Sequence, residues 1–327
     1  MKWRAEDSPE RTMDGDSHGA RLQRDGATKA PEGGISGQPM PREANLGAGW
    51  RLLIYVAMFF MLWSISLFLL SQLLRPTRGV FSPRFQLPGE TASFLAAILA
   101  AWIMSQLEER HVGVYGLPAR GAFGKLFWQG CLFGLCEIAL LVGVIAAFGG
   151  YSFGGLAEHG GAIAEWALFW ACFFVMVGLF EEFLFRGYTL YTLSGGIGFW
   201  PAAVLLSLAF AAFHVANKGE GWAGITSVAF VGLFWSFTLK RTGSLWFAVG
   251  MHATFDFGET FLFSAPDSGA ILPGHLSNAV MHGPNWLTGG TAGPEGSIFD
   301  FLILAVFFLV VHFLYPAGEE KNGAEAS

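Results

Sequence analysis

The chain alternates long apolar runs with short polar connections. The run from Leu52 to Leu74 holds 23 uncharged residues, which crosses a bilayer as a helix at about 1.5 Å per residue. Seven more apolar runs follow, and together they predict an all-α polytopic membrane bundle of about eight transmembrane helices with a central polar cavity. The later runs lie near 91–107, 126–148, 162–190, 199–216, 221–239, 244–263 and 301–315.

The two ends of the chain differ in composition from these apolar runs. Residues 1–48 are rich in Gly, Pro and charged residues, which predicts a disordered tail that cannot bury enough apolar surface to fold. This tail lacks the basic segment and apolar core of a cleavable signal peptide, so the first span is expected to target the chain. We predict a transmembrane domain at 49–316 and a short C-terminal tail at 317–327.

Composition supports a membrane protein and argues against nucleic acid as a partner. The chain is 53% hydrophobic and 13% charged, whereas a soluble domain has about 25% charged residues. No basic patch interleaved with aromatic residues suggests nucleic-acid binding. Cys131, Cys136 and Cys172 fall in apolar segments without CxxC spacing, which predicts small core residues rather than disulfides or a structural zinc site.

The distribution of basic residues predicts the orientation of the chain in the cell membrane. Eight spans place both termini on one side. The positive-inside rule then favours cytoplasmic termini, because the connections on that side carry more Lys and Arg. These connections carry Arg110, Arg120, Lys125, Arg186, Lys240 and Arg241, whereas the Gly-, Pro- and Asn-rich loop at 264–297 on the opposite side has no Lys or Arg.

Three short motifs place ionisable groups inside apolar segments, where each costs several kcal/mol. Their six residues on three neighbouring spans are expected to act together. Carboxylates combined with histidines are suited to activating water and attacking a carbonyl group, which points to hydrolysis inside the membrane. The motif residues are Glu181, Glu182, Arg186, His214, His252 and Asp256.

Helical spacing places several of these residues on common faces. Residues i and i+4 lie within about 40° of each other, so three pairs can each share a helix face: Glu182 with Arg186, Phe210 with His214, and His252 with Asp256. Glu181 is rotated by about 100° from its neighbour, so one glutamate can face a cavity as a base while the other pairs with arginine. Each pair alone also fits an ordinary structural role, such as an ion pair at a helix end. The three faces together favour a site.

The motifs resemble a known family in order and spacing. The strings Phe180-Glu-Glu-Phe-Leu-Phe-Arg-Gly187, Phe210-Ala-Ala-Phe-His214 and Gly250-Met-His-Ala-Thr-Phe-Asp256 are similar to the signature of the CAAX protease and bacteriocin-processing family. This family includes the type II CAAX prenyl endopeptidases. The resemblance covers roughly residues 110–262. It implies an intramembrane endopeptidase that cleaves a membrane-embedded or lipid-modified substrate in the lipid bilayer.

The resemblance also implies roles for the first four motif residues. Glu181 corresponds to the base that activates water, and His214 would assist it. The pair of Glu182 and Arg186 would support the site.

The last motif departs from the family pattern. His252 and Asp256 correspond to the residues that stabilise the oxyanion, but the family usually has asparagine at the second position. An ionised carboxylate cannot donate a hydrogen bond to an oxyanion. Asp256 is therefore expected either to be protonated or to orient His252.

Metal dependence stays open from sequence. Members of the family are commonly called metalloproteases, and a metal-free glutamate mechanism is also argued for them. Glu181, His214 and His252 offer a zinc set of two histidines and one glutamate, but there is no HExxH helix. Zinc and direct activation of water by glutamate are thus both possible.

Two other functions use the same residues. A proton- or cation-coupled transporter could use Glu137, Glu181, Glu182 and Asp256, although the internal repeats typical of transporters are not evident. A non-catalytic membrane scaffold or immunity-type protein could use the fold to bind a partner. Glu137 and Glu259 are further intramembrane acids that could extend the polar lining of the cavity.

Overall fold

A computed structural model describes residues 47–77, 79–217, 219 and 221–316. Nearly all of the predicted N-terminal tail, and the whole predicted tail at 317–327, lie outside these residues. The described residues form a bundle of helices with a single short pair of strands, which confirms the all-α fold.

Ten α-helices make up the described part of the chain. They are α1 (Ala48–Leu74), α2 (Pro83–Leu107), α3 (Lys125–Ala147), α4 (Gly161–Arg186), α5 (Tyr188–Ile197), α6 (Phe199–His214), α7 (Trp222–Thr242), α8 (Trp246–Phe257), α9 (Asn285–Thr288) and α10 (Ile298–Leu314). Short 3-10 turns lie at Val112–Tyr115, Ala119–Gly121 and Pro294–Gly296, and α8 continues into a π turn at Gly258–Leu262. The strands β1 (Tyr151–Ser152) and β2 (Val280–Met281) pair antiparallel.

Five stretches of helix among the described residues are long and apolar enough to cross a membrane. They are α1, α2, α3, α7 and the nearly continuous segment Gly161–Ile197, and α6 and α10 are apolar but shorter. Helices of this length and composition are those of an integral membrane protein. The number of eight spans and the cytoplasmic position of the termini remain predictions.

Two helix boundaries differ from the predicted spans. α2 begins at Pro83 rather than near residue 91, because proline fits the first helical position and Pro88 is tolerated inside a membrane helix. The fourth predicted span, 162–190, is divided at Gly187 into α4 and α5. A Cβ atom at Gly187 would clash with the carbonyl oxygen of Phe183, so glycine allows the chain to change direction there.

α8 packs tightly between α3 and α4, and glycines make this packing possible. A Cβ atom on Gly130 of α3 would clash with the carbonyl oxygen of Phe247, and one on Gly250 of α8 would clash with that of Phe127. Small residues at such crossings let helix backbones approach closely in membrane proteins. The close contact fixes α8, which carries two of the motif residues.

The segment 264–297 is irregular as predicted, apart from short elements. A backbone hydrogen bond from Gly269 N to Ala292 O, at 2.8 Å, joins the two ends of this segment. Thr291 Oγ1 also donates to the carbonyl oxygen of Gly219 at 2.7 Å. These bonds hold the loop against the end of the bundle, where it contributes side chains to the interior.

Two predictions about individual side chains are wrong. Cys131 is buried as expected, but Cys136 and Cys172 are exposed on the outside of α3 and α4, where an apolar thiol can face lipid. Arg186 is 1% exposed, so it does not belong among the basic residues of a connecting loop, and the charge difference that favours cytoplasmic termini is smaller than the sequence indicated.

A buried charged network joins α1, α2 and α5. Glu108 lies just beyond α2 and accepts hydrogen bonds from Arg51 Nε at 2.9 Å, from Arg51 Nη2, and from Tyr188 Oη at 2.5 Å. Tyr115 Oη and Arg110 Nε lie at 3.5 and 3.7 Å from its Oε2 atom. Both carboxylate oxygens of Glu108 are therefore occupied.

Candidate active site

The two adjacent glutamates of α4 have different surroundings. The side chain of Glu181 is 24% exposed, whereas that of Glu182 is 0% exposed. Glu182 Oε1 accepts a hydrogen bond from Arg186 Nη1 at 3.1 Å, one helical turn away. The pair is buried rather than placed at the surface, so the interpretation as a surface ion pair at a helix end is excluded. Glu181 keeps a partly exposed carboxylate.

Arg186 is held mainly by aromatic rings. Its guanidinium carbon lies 4.3 Å from the ring centre of Phe210, 5.3 Å from that of Trp235 and 5.8 Å from that of Phe185. Such cation–π contacts stabilise a desolvated guanidinium group. Gly232 of α7 provides the room, since a Cβ atom there would lie 2.5 Å from Arg186 Nη2. The phenylalanine of the second motif thus positions the arginine of the first.

His252 is surrounded by the carboxylates of all three acidic motif residues. Its Nδ1 atom lies 3.0 Å from Glu182 Oε1, and its Nε2 atom lies 3.3 Å from Asp256 Oδ2 and 3.8 Å from Glu181 Oε2. The ring of Trp235 stacks on the imidazole at 4.4 Å with an interplanar angle of 18°. The imidazole is therefore fixed from its edge by acids and from its face by an aromatic ring.

His214 stands at the end of α6 and is partly buried. Its Nδ1 atom lies 2.9 Å from the carbonyl oxygen of Phe210, and because a carbonyl oxygen only accepts, Nδ1 carries the proton. The imidazole also packs edge-on against the Phe210 ring at 4.7 Å. Phe210 therefore touches both Arg186 and His214, which connects α4 to α6.

The predicted polar cavity lies between these helices and measures about 60 Å³, counted as the space open to the centre of a water molecule. That volume holds on the order of four waters. Of the motif residues, His214, His252 and Asp256 line this cavity, whereas Glu181 does not line it and lies 3.8 Å from His252 Nε2. Five further acids also line the cavity and are here called the acidic wall: Glu137, Glu259, Asp267, Glu295 and Asp300.

Several acids of the acidic wall have polar contacts. Ser227 Oγ donates to Asp300 Oδ2 at 2.5 Å, and Thr260 Oγ1 donates to Asp267 Oδ2 at 2.7 Å. Glu295 Oε1 accepts from the backbone N–H of Ser268 at 2.9 Å. Burial raises the pKa of Asp267, which lies in the loop, and the nearby carboxylates of Asp256 and Glu295 raise it further.

The zinc set considered from sequence is not formed by these side chains. Within residues 47–77, 79–217, 219 and 221–316, no group of three or more His, Cys, Asp or Glu side chains is placed to hold a metal ion. His252 Nδ1 faces Glu182 and its Nε2 faces Asp256, so both ring nitrogens already face carboxylate oxygens. The donors therefore do not fit the metal, and no step below involves one.

Sequence reasoning missed residues that reach the site from other elements. Trp235 of α7 contacts both Arg186 and His252, but a tryptophan within an apolar run gives no local signal. Glu90 of α2 is close enough to Glu181 for their charges to interact. The predicted second span began one residue after it. The missed acids of the cavity are Asp267, Glu295 and Asp300.

One comparison with known proteins matches the stretch of sequence that contains the motifs. Residues 163–258 match the family model described as type II CAAX prenyl endopeptidase Rce1-like, and this stretch contains all six motif residues. No curated protein matches the chain. The match confirms the resemblance to the CAAX protease and bacteriocin-processing family and implies a protease. Together with the apolar helices, it identifies an integral membrane protein whose substrate is associated with the membrane.

Proposed function

We propose that this chain, whose residues 163–258 match the type II CAAX prenyl endopeptidases, hydrolyses a peptide bond of a membrane-embedded or lipid-modified substrate. The observation that carries the proposal is His252, held between Glu181, Glu182 and Asp256 on the wall of a cavity large enough for water. Carboxylates and an oriented imidazole beside water are the groups that peptide hydrolysis requires.

Glu181 is the base in this proposal. It accepts a proton from water, the water oxygen bonds to the scissile carbonyl carbon, and the carbon–nitrogen bond then breaks. Glu181 returns the proton to the leaving nitrogen, so the enzyme is unchanged after each cycle. Its 24% exposure and its distance of 3.8 Å to His252 Nε2 support this role, whereas the fully buried Glu182 is already paired with Arg186.

His252 and His214 supply the imidazoles of the proposed mechanism. Glu182 anchors Nδ1 of His252, and Nε2 faces Asp256 and Glu181. In the proposed mechanism the protonated imidazole exchanges its Nε2 contact with Asp256 for the oxyanion that forms on the scissile carbonyl. The contact of Asp256 with the same Nε2 atom favours the alternative in which Asp256 orients His252. His214, which lines the same cavity, assists in the proposed mechanism.

The proposal is tested by proteolysis with the full chain in nanodiscs, using a panel of prenylated and transmembrane peptides. Glu181→Gln is expected to lower the cleavage rate by about a thousandfold or more, since general base catalysis contributes about 10²–10⁴. His252→Ala and His214→Ala are expected to lower it as well. Glu165→Gln, on the exposed side of the same helix, is the matched control and should cleave like the wild type.

Two results would overturn these assignments. A folded Glu181→Gln variant that cleaves like the wild type would remove Glu181 from the role of base. Loss of cleavage with a chelator and recovery with zinc would contradict the metal-free mechanism. The melting temperature of each variant, measured in the same nanodiscs, separates loss of catalysis from loss of folding.

One observation supports the transporter function: five acids line the cavity and form the acidic wall. Carboxylates inside a membrane are typical of proton and cation pathways. Proton flux into proteoliposomes, measured with a pH-sensitive dye, tests this function directly. Flux that is abolished by Glu137→Gln, together with no cleavage by the folded wild type, would favour transport. Neither flux nor cleavage would favour the scaffold.

A further inference from the structure

Glu181 opens onto a different space from the cavity described above. Its side chain is 24% exposed, yet it does not line that cavity. On α4 it lies about 60° around the helix axis from Gly178, which packs on the backbone of α8, and about 100° from Phe180, whose ring stacks on Phe59 of α1. Glu181 therefore points between α8 and the pair of helices α1 and α2.

α2 runs beside α4 in the same direction, and ring contacts fix the register of the two helices. Phe81, just before α2, lies 5.4 Å from Trp170 between ring centres, and Phe94 lies 6.3 Å from Phe183. The two contact residues of each helix are thirteen residues apart. The two helices therefore stay in step between these contacts.

Glu90 of α2 lies near the level of Glu181 and on the face of α2 that is turned to α4. The register places it two residues, or about 3 Å along the axis, from the level of Glu181. It shares a face with Phe94, which follows one turn later and contacts α4. The neighbouring face, with Gly89 and Ser93, packs on α1 instead. The charges of Glu90 and Glu181 are close enough to interact.

The surroundings of Glu90 indicate which of the two carboxyl groups carries a proton. Among the described residues, its side chain forms no hydrogen bond and no ion pair, and α1 has no charged residue between Arg51 and Arg75. A carboxylate inside a membrane is costly without a cationic partner. Glu90 therefore keeps its proton. The negative charge of the two stays on Glu181, which lies 3.8 Å from His252 Nε2.

We propose that Glu90 is a further residue of the reaction centre and positions the water molecule that Glu181 activates. The protonated carboxyl group of Glu90 donates a hydrogen bond to the water oxygen, and the water donates one to the carboxylate of Glu181. Both side chains are partly exposed, which gives water access to them. During attack Glu181 accepts the water proton and Glu90 keeps its own. This inference rests on the proposed function and adds the position of the water to it.

The kinetic test uses the full chain in nanodiscs with a peptide that the wild type cleaves. Glu90→Leu cannot donate a hydrogen bond and should lower kcat by about 10–100-fold, as the loss of other orienting groups does, with KM unchanged. Its melting temperature should not fall, since leucine suits a membrane helix better than a carboxyl group. Glu90→Gln keeps an N–H donor and should retain most of the rate. Gln86→Leu, one turn earlier on α2, is the matched control and should cleave like the wild type.

An infrared difference spectrum tests the pair of carboxyl groups without catalysis. The spectrum of the wild type minus that of Glu90→Gln should contain the C=O stretching band of a protonated carboxyl group, which shifts in D₂O. In a Glu181→Gln background this band should lie at a different frequency, because the group across the water has lost its charge. A Glu165→Gln background, which changes an exposed acid of the same helix, should leave the band in place.

The outcomes separate this inference from the proposed function. A folded Glu90→Leu variant with the kcat of the wild type would overturn it, as would a Glu90 band that is absent or does not respond to Glu181→Gln. If Glu90→Leu does not fold, Glu90→Gln and the infrared band decide the question.

Two mixed results are also decisive. A band that responds to Glu181→Gln, in a chain whose wild type cleaves no peptide of the panel, would keep the interaction of the two carboxyl groups and remove the protease. Cleavage that is lost in Glu181→Gln but normal in Glu90→Leu would keep the protease and remove Glu90 from its reaction centre.

Discussion

Two buried pairs of glutamate and arginine lie in this bundle, and they differ in how many of their polar atoms have hydrogen-bond partners. Glu108 accepts two hydrogen bonds from Arg51 and one from Tyr188. Glu182 and Arg186 share a single bond of 3.1 Å, and Glu182 Oε2, Arg186 Nε and Arg186 Nη2 have no hydrogen-bond partner among the described residues. Both carboxylate oxygens of Glu108 therefore have partners, although Arg110 Nε, 3.7 Å from Oε2, has none, whereas the second pair leaves three of its own polar atoms without a hydrogen bond.

The two pairs also differ in what stabilises them. A charged group whose hydrogen-bonding atoms have partners is held in one position, as the carboxylate of Glu108 is. The pair at the active site is instead supported by the rings of Phe210 and Trp235 and by His252. Aromatic faces stabilise the guanidinium group without occupying its N–H groups. The pair of Glu182 and Arg186 therefore keeps unused hydrogen-bonding atoms beside His252.

The largest effect on stability is expected from removing the carboxylate of Glu108. Glu108→Ala leaves Arg51 buried without its partner and should lower the free energy of unfolding by about 3–5 kcal/mol. The cleavage rate of the molecules that remain folded should not change. Thermal unfolding in nanodiscs checks the first result. Glu109→Gln, at the exposed neighbour, is the control and should cost less than about 0.5 kcal/mol.

Removing the charge of Glu182 should affect catalysis more than stability. Glu182→Gln weakens the hold on both Arg186 and His252 and should lower kcat by about a hundredfold, in the range of other groups that orient reactive residues. The loss of stability should be about 1–3 kcal/mol, less than for Glu108→Ala. Steady-state kinetics and melting curves measure the two effects. A kcat equal to that of the wild type would contradict the anchoring role of Glu182.

A smaller effect is expected from crowding Arg186. Gly232→Ala places a methyl group 2.5 Å from Arg186 Nη2 and should cost about 1–3 kcal/mol, as overpacking does. Gly143→Ala of α3 is the matched control, because no atom lies within 4 Å of its added Cβ. That control should be neutral or stabilising by about 0.5–1 kcal/mol. Equal melting temperatures for both variants would show that α7 does not confine the guanidinium group.

The smallest effect is expected on the pH dependence of the melting temperature, through Asp267 of the acidic wall. The raised pKa of Asp267 means that its proton stabilises the fold fully below the unfolded pKa of about 3.9. This contribution is lost as pH rises through the folded pKa. Asp267→Asn should therefore reduce the fall in melting temperature between pH 5 and pH 8, by roughly 2 °C. An unchanged pH profile would show that Asp267 is not held in the protonated form.

The sequence revealed those features that depend on local spacing. The apolar runs indicated the helical bundle, and the i,i+4 spacing of Glu182 with Arg186 and of His252 with Asp256 is present in the structure. Trp235 was missed because its contacts come from another helix. Glu108 looked like an ordinary charge at the end of a span, since its partner Arg51 is 57 residues away.

The acidic wall shows a second limit of sequence reasoning. Asp267 and Glu295 lie in a segment whose composition indicates a loop outside the membrane, and that prediction of irregular structure is correct. The loop nevertheless turns back and places both acids in the cavity, through backbone bonds such as Gly269 N to Ala292 O. Composition indicates whether a segment is irregular, but it does not indicate where in the fold the side chains of that segment lie.

The π turn after α8 lets the chain carry one extra residue beside the cavity. It is closed by the backbone hydrogen bond from Phe263 N to Gly258 O at 2.8 Å, which spans one residue more than an α-helical turn. Deleting one residue between Gly258 and Leu262 would therefore restore an uninterrupted α-helix and leave the segments on both sides of the turn in place. A deletion earlier in α8 would instead rotate everything beyond it by about 100° around the helix axis and move the loop acids away from His252. The turn is thus a position where related chains can gain or lose a residue while every motif residue keeps its place.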